Sequence, residues 1–184
     1  ARSNQMNEAM KLFEEMKLSG LQPNEITFST MINGFVKSNQ MEEAMKMFGE
    51  MKEKRLTPNQ ITFSSLIDGF VKSNRMNEAM KLFNEMKEKR IAPNQITYSS
   101  LINGFARSNQ PDKVIKMLNE MKSRAIEPNK ITFNTMIDGF VKSNQMNEAV
   151  RMFEEMKEKG IKPDKITYSS VIDGFIKLNQ MNEA

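Results

Sequence analysis

A 35-residue period governs this chain of 184 residues. Pro23, Pro58, Pro93, Pro128 and Pro163 follow one another at that step without a slip, and so do Gly34, Gly69, Gly104, Gly139 and Gly174. The aromatics Phe28, Phe63, Tyr98, Phe133 and Tyr168 keep the same register, and residues 60–94 match residues 130–164 at 23 of 35 positions. Such self-similarity calls for an array in which each copy packs on the next in one repeated way. Four full units result, 25–59, 60–94, 95–129 and 130–164, flanked by partial units at 1–24 and 165–184. The chain begins and ends inside a unit, so further repeats or another chain are expected to cover apolar stripes at both ends.

Each unit reads as two helices. At roughly 100° per residue, Phe28, Met31, Ile32 and Phe35 share one side, which is the side to bury. Ile26, Ser29, Asn33 and Lys37 gather opposite, a polar stripe with an isoleucine at one end and a cation at the other. Asn39 follows, a residue that tolerates the left-handed conformation of a tight turn, and Asn74, Asn109, Asn144 and Asn179 recur at the same place. In the second helix Met41, Ala44, Met45, Phe48 and Met51 form the apolar stripe, with Glu42, Glu43, Lys46, Glu50 and Lys52 mostly outside it. That helix should stop near Lys54 and Arg55, where other units carry Gly20 and Gly160. Pro111 stands at the start of one second helix, where proline is tolerated. A hairpin of this size cannot hide both stripes alone. Small residues such as Gly34 and Ala44 let neighbouring helices approach, so the expected fold is an all-α solenoid of helix-turn-helix units.

Composition narrows the chemistry. No Cys, His or Trp is present, which removes disulfides, zinc fingers, Ser-His-Asp and Cys-His nucleophiles and the usual haem or iron–sulfur ligands. Neither an enzyme nor a cofactor site is expected. At most two apolar residues run consecutively, so no membrane span or secretory signal is present. The first residues, Ala1, Arg2 and Ser3, show no recognisable leader, and any targeting segment is expected outside this chain. The 27 Lys and Arg against 23 Asp and Glu give +4. The acid sits mainly on the second helices, leaving the first-helix face the positive one.

The run Ile61-Thr62-Phe63-Ser64-Ser65-Leu66-Ile67-Asp68-Gly69-Phe70, with Lys72, Met76-Asn77-Glu78-Ala79, Leu82-Phe83-Asn84-Glu85-Met86-Lys87 and the closing Pro93-Asn94, resembles the pentatricopeptide repeat family. The resemblance covers the whole chain, and its elements occur in phase. The tetratricopeptide repeat, with its Trp, Gly and Tyr pattern, does not fit. The resemblance implies a right-handed superhelix that binds single-stranded RNA at one base per unit, 5′ to 3′ along the chain. It further implies a mitochondrial or plastid location and roles in RNA stabilisation, processing or translation. Two side chains would choose each base: Ser29 with Asn59, Ser64 with Asn94, Ser99 with Asn129, and Asn134 with Asp164. The family's code associates these with 5′-A-A-A-U-3′, and Ser169 opens a fifth pair suited to a purine. Ile26, Ile61, Ile96, Ile131 and Ile166 would press on base faces. Lys37, Lys72, Arg107, Lys142 and Lys177 are placed to meet phosphates.

The chemistry is consistent with that code. A carboxamide offers donor and acceptor together, as adenine's edge requires, whereas a carboxylate only accepts, as from the imino hydrogen of uracil or guanine. Serine leaves room for a two-ring base where Asn134 favours one ring. Plainer readings stand beside these. Asn before a helix also serves as an N-cap. Lys72, Lys142 and Lys177 lie four residues after Asp68, Asp138 and Asp173 and also suit helix-surface ion pairs. The 18 methionines fall on core faces, where they pack. The rival function is a scaffold that holds a protein without reading bases.

Overall fold

The structure is a computed structural model that describes residues 2–182, and the side chains of residues 5–179. The described residues form ten α-helices and no strand. They fall into two compact units, residues 1–94 and 95–184.

The first unit holds α1 (Arg2–Leu18), α2 (Glu25–Lys37), α3 (Met41–Glu53), α4 (Gln60–Lys72) and α5 (Met76–Glu88). Helices α2 and α3 form one hairpin, α4 and α5 the next, and α2 lies against α4. The turn after α2 follows from its residues. Asn39 takes φ 60°, and the N–H of Gln40 donates to the Phe35 carbonyl at 2.8 Å, closing the left-handed cap that frees the chain to reverse. Asn74 does the same after α4, with φ 58°. Arg55 and Arg90 hold the left-handed position after α3 and α5.

The core matches the expected stripe, with Phe28, Ile32, Phe63, Leu66 and Ile67 at 0% exposure. Phe13 and Phe28, and likewise Phe48 and Phe63, meet edge to face with centroids 5.4 and 5.5 Å apart, a favoured aromatic geometry. One position was not in the expected stripe: Met47 is buried while Met45 is only half-buried. Helix α3 touches both α2 and α4, so its buried arc is wider than a hairpin alone requires. Second helices are tied together at the opposite surface, with Lys17 to Glu50 at 3.3 Å and Lys52 to Glu85 at 2.8 Å.

The second unit repeats the plan with α6 (Gln95–Arg107), α7 (Pro111–Ser123), α8 (Lys130–Lys142), α9 (Met146–Glu158) and α10 (Lys165–Asn182). Helices α6, α8 and α10 lie side by side, and α7 and α9 back them. Pro111 opens α7 at its first turn, and Val114 and Leu118 fill the places of Ala and Phe without leaving the core. Glycine is required where α8 meets α6: a Cβ on Gly139 would lie 2.6 Å from the Cβ of Ala106. The turn expected at Asn179 does not form, and α10 continues through it to Asn182. Met181 and its neighbours' side chains lie outside the described residues.

Candidate nucleic-acid interface

The first helices carry the expected polar face. Ile26, Ile61, Ile96, Ile131 and Ile166, one per helix, are 73%, 61%, 61%, 70% and 65% exposed. Single exposed aliphatics are ordinary; the same residue exposed at the second position of five successive first helices is a built feature.

Behind Ile61 and Ile131 lies a polar relay. Asn59 is the N-cap of α4, its Oδ1 accepting from the Thr62 N–H at 3.0 Å and from Thr62 Oγ1 at 3.0 Å. Ser29 Oγ lies 2.7 Å from Thr62 Oγ1. Each hydroxyl has one proton, so the accounting runs one way: Ser29 donates to Thr62, and Thr62 donates to Asn59. The same relay joins Ser99, Thr132 and Asn129 in the second unit, at 2.7 Å and 3.0 Å. A backbone N–H can only donate, so the atom facing it must be the amide oxygen. The N-cap therefore fixes the amide of Asn59 and Asn129, and turns Nδ2, a donor, away from the helix end.

The other two pairs touch directly. Ser64 Oγ donates to Asn94 Oδ1 at 3.4 Å, and Asn94 Nδ2 donates to Gln60 Oε1 at 3.3 Å. Asn134 Nδ2 donates to Asp164 at 3.3 Å to Oδ1 and 3.5 Å to Oδ2. Asp164 Oδ1 also accepts from the Thr167 N–H at 3.1 Å, while the Asp164 N–H donates to Thr167 Oγ1 at 3.0 Å, a reciprocal cap. Thr167 Oγ1 sits 2.7 Å from Asn134 Oδ1. The Thr167 backbone N–H holds the Asp164 carboxyl below the usual carboxylate range, helped by the Thr167 hydroxyl, the Asn134 amide and the charge of Lys130, against the opposing effect of burial. Asp164 thus stays an acceptor where the asparagines present a donor.

All four sequence-predicted pairs are brought together, in two ways: directly, or through the threonine of the next helix. The threonines were missed as participants. Their signal was their recurrence at Thr27, Thr62, Thr97, Thr132 and Thr167, one residue after each isoleucine. The serines also sit deeper than a polar stripe suggests, Ser29 at 8% and Ser64 at 4% exposure. They form the floor of the site, and the residues closing each unit reach further out. Ser169 is exposed.

The cations divide. Lys72, Lys142 and Lys177 pair with Asp68, Asp138 and Asp173 at 2.5, 2.6 and 2.6 Å. Lys37 and Arg107 follow Asn33 and Asn103 and make no ion pair among the described residues. In the second unit Arg107, Lys142, Asn134 and Ile166 line one open cleft of about 340 Å³, which puts an amide, an isoleucine and two cations around the same space. No group of three His, Cys, Asp or Glu able to hold a metal occurs among the described residues, and no described helix is long and apolar enough to cross a membrane.

Stacked helical hairpins, each ending in a short polar side chain beside an exposed isoleucine, define a modular helical-repeat protein. The sequence profile of the PPR repeat family matches residues 1–37, 28–72, 65–107, 100–142 and 131–177, and the chain belongs to that family. No curated protein matches it. Among solved structures it is similar to the pentatricopeptide repeat protein PPR10 from maize, at 27% identity and a TM-score of 0.81, covering 95% of this chain and 25% of that one. PPR10 in complex with an 18-nucleotide psaJ RNA element also matches, at 27% identity and a TM-score of 0.74, over 95% of this chain and 26% of that one. The PPR domain of Arabidopsis thaliana protein-only RNase P 1, solved with tRNA, shares the fold at 16% identity and a TM-score of 0.81, over 94% and 91% of the two chains. This chain spans about a quarter of the length of the maize protein.

Proposed function

We propose that this chain binds single-stranded RNA, one base per 35-residue unit, and reads it through the side-chain pairs described above. One observation carries the reading: each full unit presents one polar pair, closed directly or through one threonine, next to one exposed isoleucine. The RNA held by the similar maize protein supports the class of ligand. Units 25–59, 60–94 and 95–129 would each accept adenine, and unit 130–164 uracil, giving 5′-A-A-A-U-3′.

The isoleucines would supply sequence-tolerant contact with base faces, on the order of 1 to 3 kcal/mol per base for stacking contacts. The outward donor on Asn59 suits adenine's ring-nitrogen acceptor, and the ionised Asp164 suits uracil's imino hydrogen. Lys37 and Arg107 would meet phosphates first, because Lys72, Lys142 and Lys177 must leave a carboxylate to do so. The action is by occupancy: shielding RNA from nucleases, remodelling its structure, or marking a site for processing or translation in mitochondria or plastids, with no catalysis by these residues. Further repeats or another chain would cover Leu12 at one end and Ile172, Phe175 and Ile176 at the other, all exposed.

Fluorescence anisotropy with A-A-A-U RNA against permuted oligomers tests the reading. The Asn94→Asp variant should move the second base preference from adenine to guanine by about tenfold, the effect of one lost and one gained base-edge hydrogen bond. Equal affinity for every oligomer would instead favour a scaffold that does not read bases.

A further inference from the structure

In unit 60–94 the first and last residues meet beside the exposed isoleucine. Gln60 Nε2 donates to the Ala92 carbonyl at 2.7 Å; this fixes its amide and leaves Oε1 facing Asn94 Nδ2 at 3.3 Å. Gln95 repeats the anchor, donating to the Glu127 carbonyl at 2.9 Å, two residues before Asn129. In the one unit that closes with a carboxylate, the opening residue is Lys130. Across the four units the opening residues are Glu25, Gln60, Gln95 and Lys130, and the closing residues are Asn59, Asn94, Asn129 and Asp164. Hydrogen-bond acceptors stand with the amides, and the only donor cation stands with the acid.

We propose that the opening residue is a third specificity-determining position, a positioning residue that reinforces the hydrogen-bond polarity the closing residue shows to the base. Gln60 accepts one amide hydrogen of Asn94 and so supports the orientation in which Oδ1 faces the Ser64 hydroxyl; a cation there would oppose that donor. The Thr167 N–H leads in holding Asp164 ionised, with the Thr167 hydroxyl and the Asn134 amide, and the charge of Lys130 adds to them. The inference rests on the base-reading proposal and deepens it: a reader is a triplet, and transplanting Asn or Asp without its opening partner gives a weaker module.

A double-mutant cycle on the full chain tests it. Wild type, Lys130→Gln, Asp164→Asn and the double variant are compared on RNAs that differ only as uracil or cytosine at the base opposite Asn134, at low salt where an exposed charge is least screened. Lys130→Gln should lose about two- to fivefold of the uracil preference, the range of an exposed charge contact, and Lys130→Arg should keep it. Asp164→Asn alone should discriminate poorly, and the double variant should favour cytosine, whose ring nitrogen accepts from an amide. In RNA-free protein, NMR titration should show the Asp164 carboxyl rising toward its ordinary range in Lys130→Gln and not in Lys130→Arg. An unmoved carboxyl, or selectivities that simply multiply while wild type does prefer uracil, overturns the inference alone. Absence of any base preference in wild type overturns the base-reading proposal and this inference with it.

Discussion

Two identical substitutions, Gly139→Ala and Gly49→Ala, should move stability in opposite directions. Both glycines sit inside helices, so alanine gains about 1 kcal/mol of helix propensity at either site. At Gly49 in α3 nothing lies within 4 Å of the new Cβ, and about 0.5–1 kcal/mol of that gain survives. At Gly139 in α8 the Cβ would stand 2.6 Å from the Cβ and 3.3 Å from the Cα of Ala106. Carbon atoms rest at about 3.5–4.0 Å, so about 1 Å must be opened. Ala106 has no side-chain torsion to turn, and the strain passes to the backbones of α6 and α8.

Overpacking costs roughly 1–3 kcal/mol, and a contact with no rotamer to relieve it belongs in the upper half. Net of the propensity gain, Gly139→Ala should lose about 1–2 kcal/mol, or roughly 2–8 °C in Tm for a chain of this size. Gly69→Ala falls between the two, because its nearest neighbour is the movable Sδ of Met41 at 2.5 Å, with Val36 Cγ1 behind it at 2.9 Å. Urea denaturation followed by helical circular dichroism orders the three variants. A Gly139→Ala protein as stable as wild type would show that α6 and α8 do not approach as described, and the cleft they help to line would lose its geometry.

Ala125 holds φ 56° after α7, where Gly20 and Gly160 occupy the matching turns; Ala125→Gly should therefore stabilise by about 0.5–1 kcal/mol in the same denaturation assay, and a destabilised variant would refute the strain. Replacing Lys37 or Arg107 with Gln should each lower the slope of log affinity against log salt by about 0.7, the single-strand value per phosphate contact; an unchanged slope removes them from the phosphate path. Burial, reinforced by the charge of Glu120, pushes the Tyr98 hydroxyl up to about 12. The fold favours the neutral phenol, so this contribution to stability is complete below the ordinary tyrosine value of about 10 and lost as pH rises through about 12. In Tyr168→Phe, tyrosinate absorbance should appear only near the upper value; a midpoint near the ordinary one would mean that Tyr98 is not enclosed.

The helices, the buried aromatics and the recurring polar pairs were legible because each is a statement about period: one residue type, one face, every 35 residues. What periodicity could not show was depth and direction. Ser29 and Lys37 share a helix face, yet one lies at the floor and the other in solvent, since Thr62 of the neighbouring first helix covers the end that carries Ser29. Met47 was not legible either: helix α3 touches α4 of the next hairpin as well as α2, so more of it is buried than a hairpin alone requires. The turn at Asn179 was misjudged, since α10 runs through it to Asn182.

The relay also explains why the closing position uses so few residue types. Asn59 and Asn129 cap a helix whatever else they meet, and Asp164 binds the Thr167 N–H in the same manner. Good N-caps are Asn, Asp, Ser, Thr and Gly, and replacing one of the polar caps by alanine costs about 1 kcal/mol. Of these, Asn and Asp alone can bind the helix N–H with one atom and still present a second polar atom fixed in space by the same planar group. That second atom is a donor in Asn and an acceptor in Asp, which is the smallest distinction able to sort base edges. Folding and reading therefore constrain one side chain together: Asn129→Asp should leave the stability of α8 nearly unchanged while altering base choice, and Asn129→Ala should lose both.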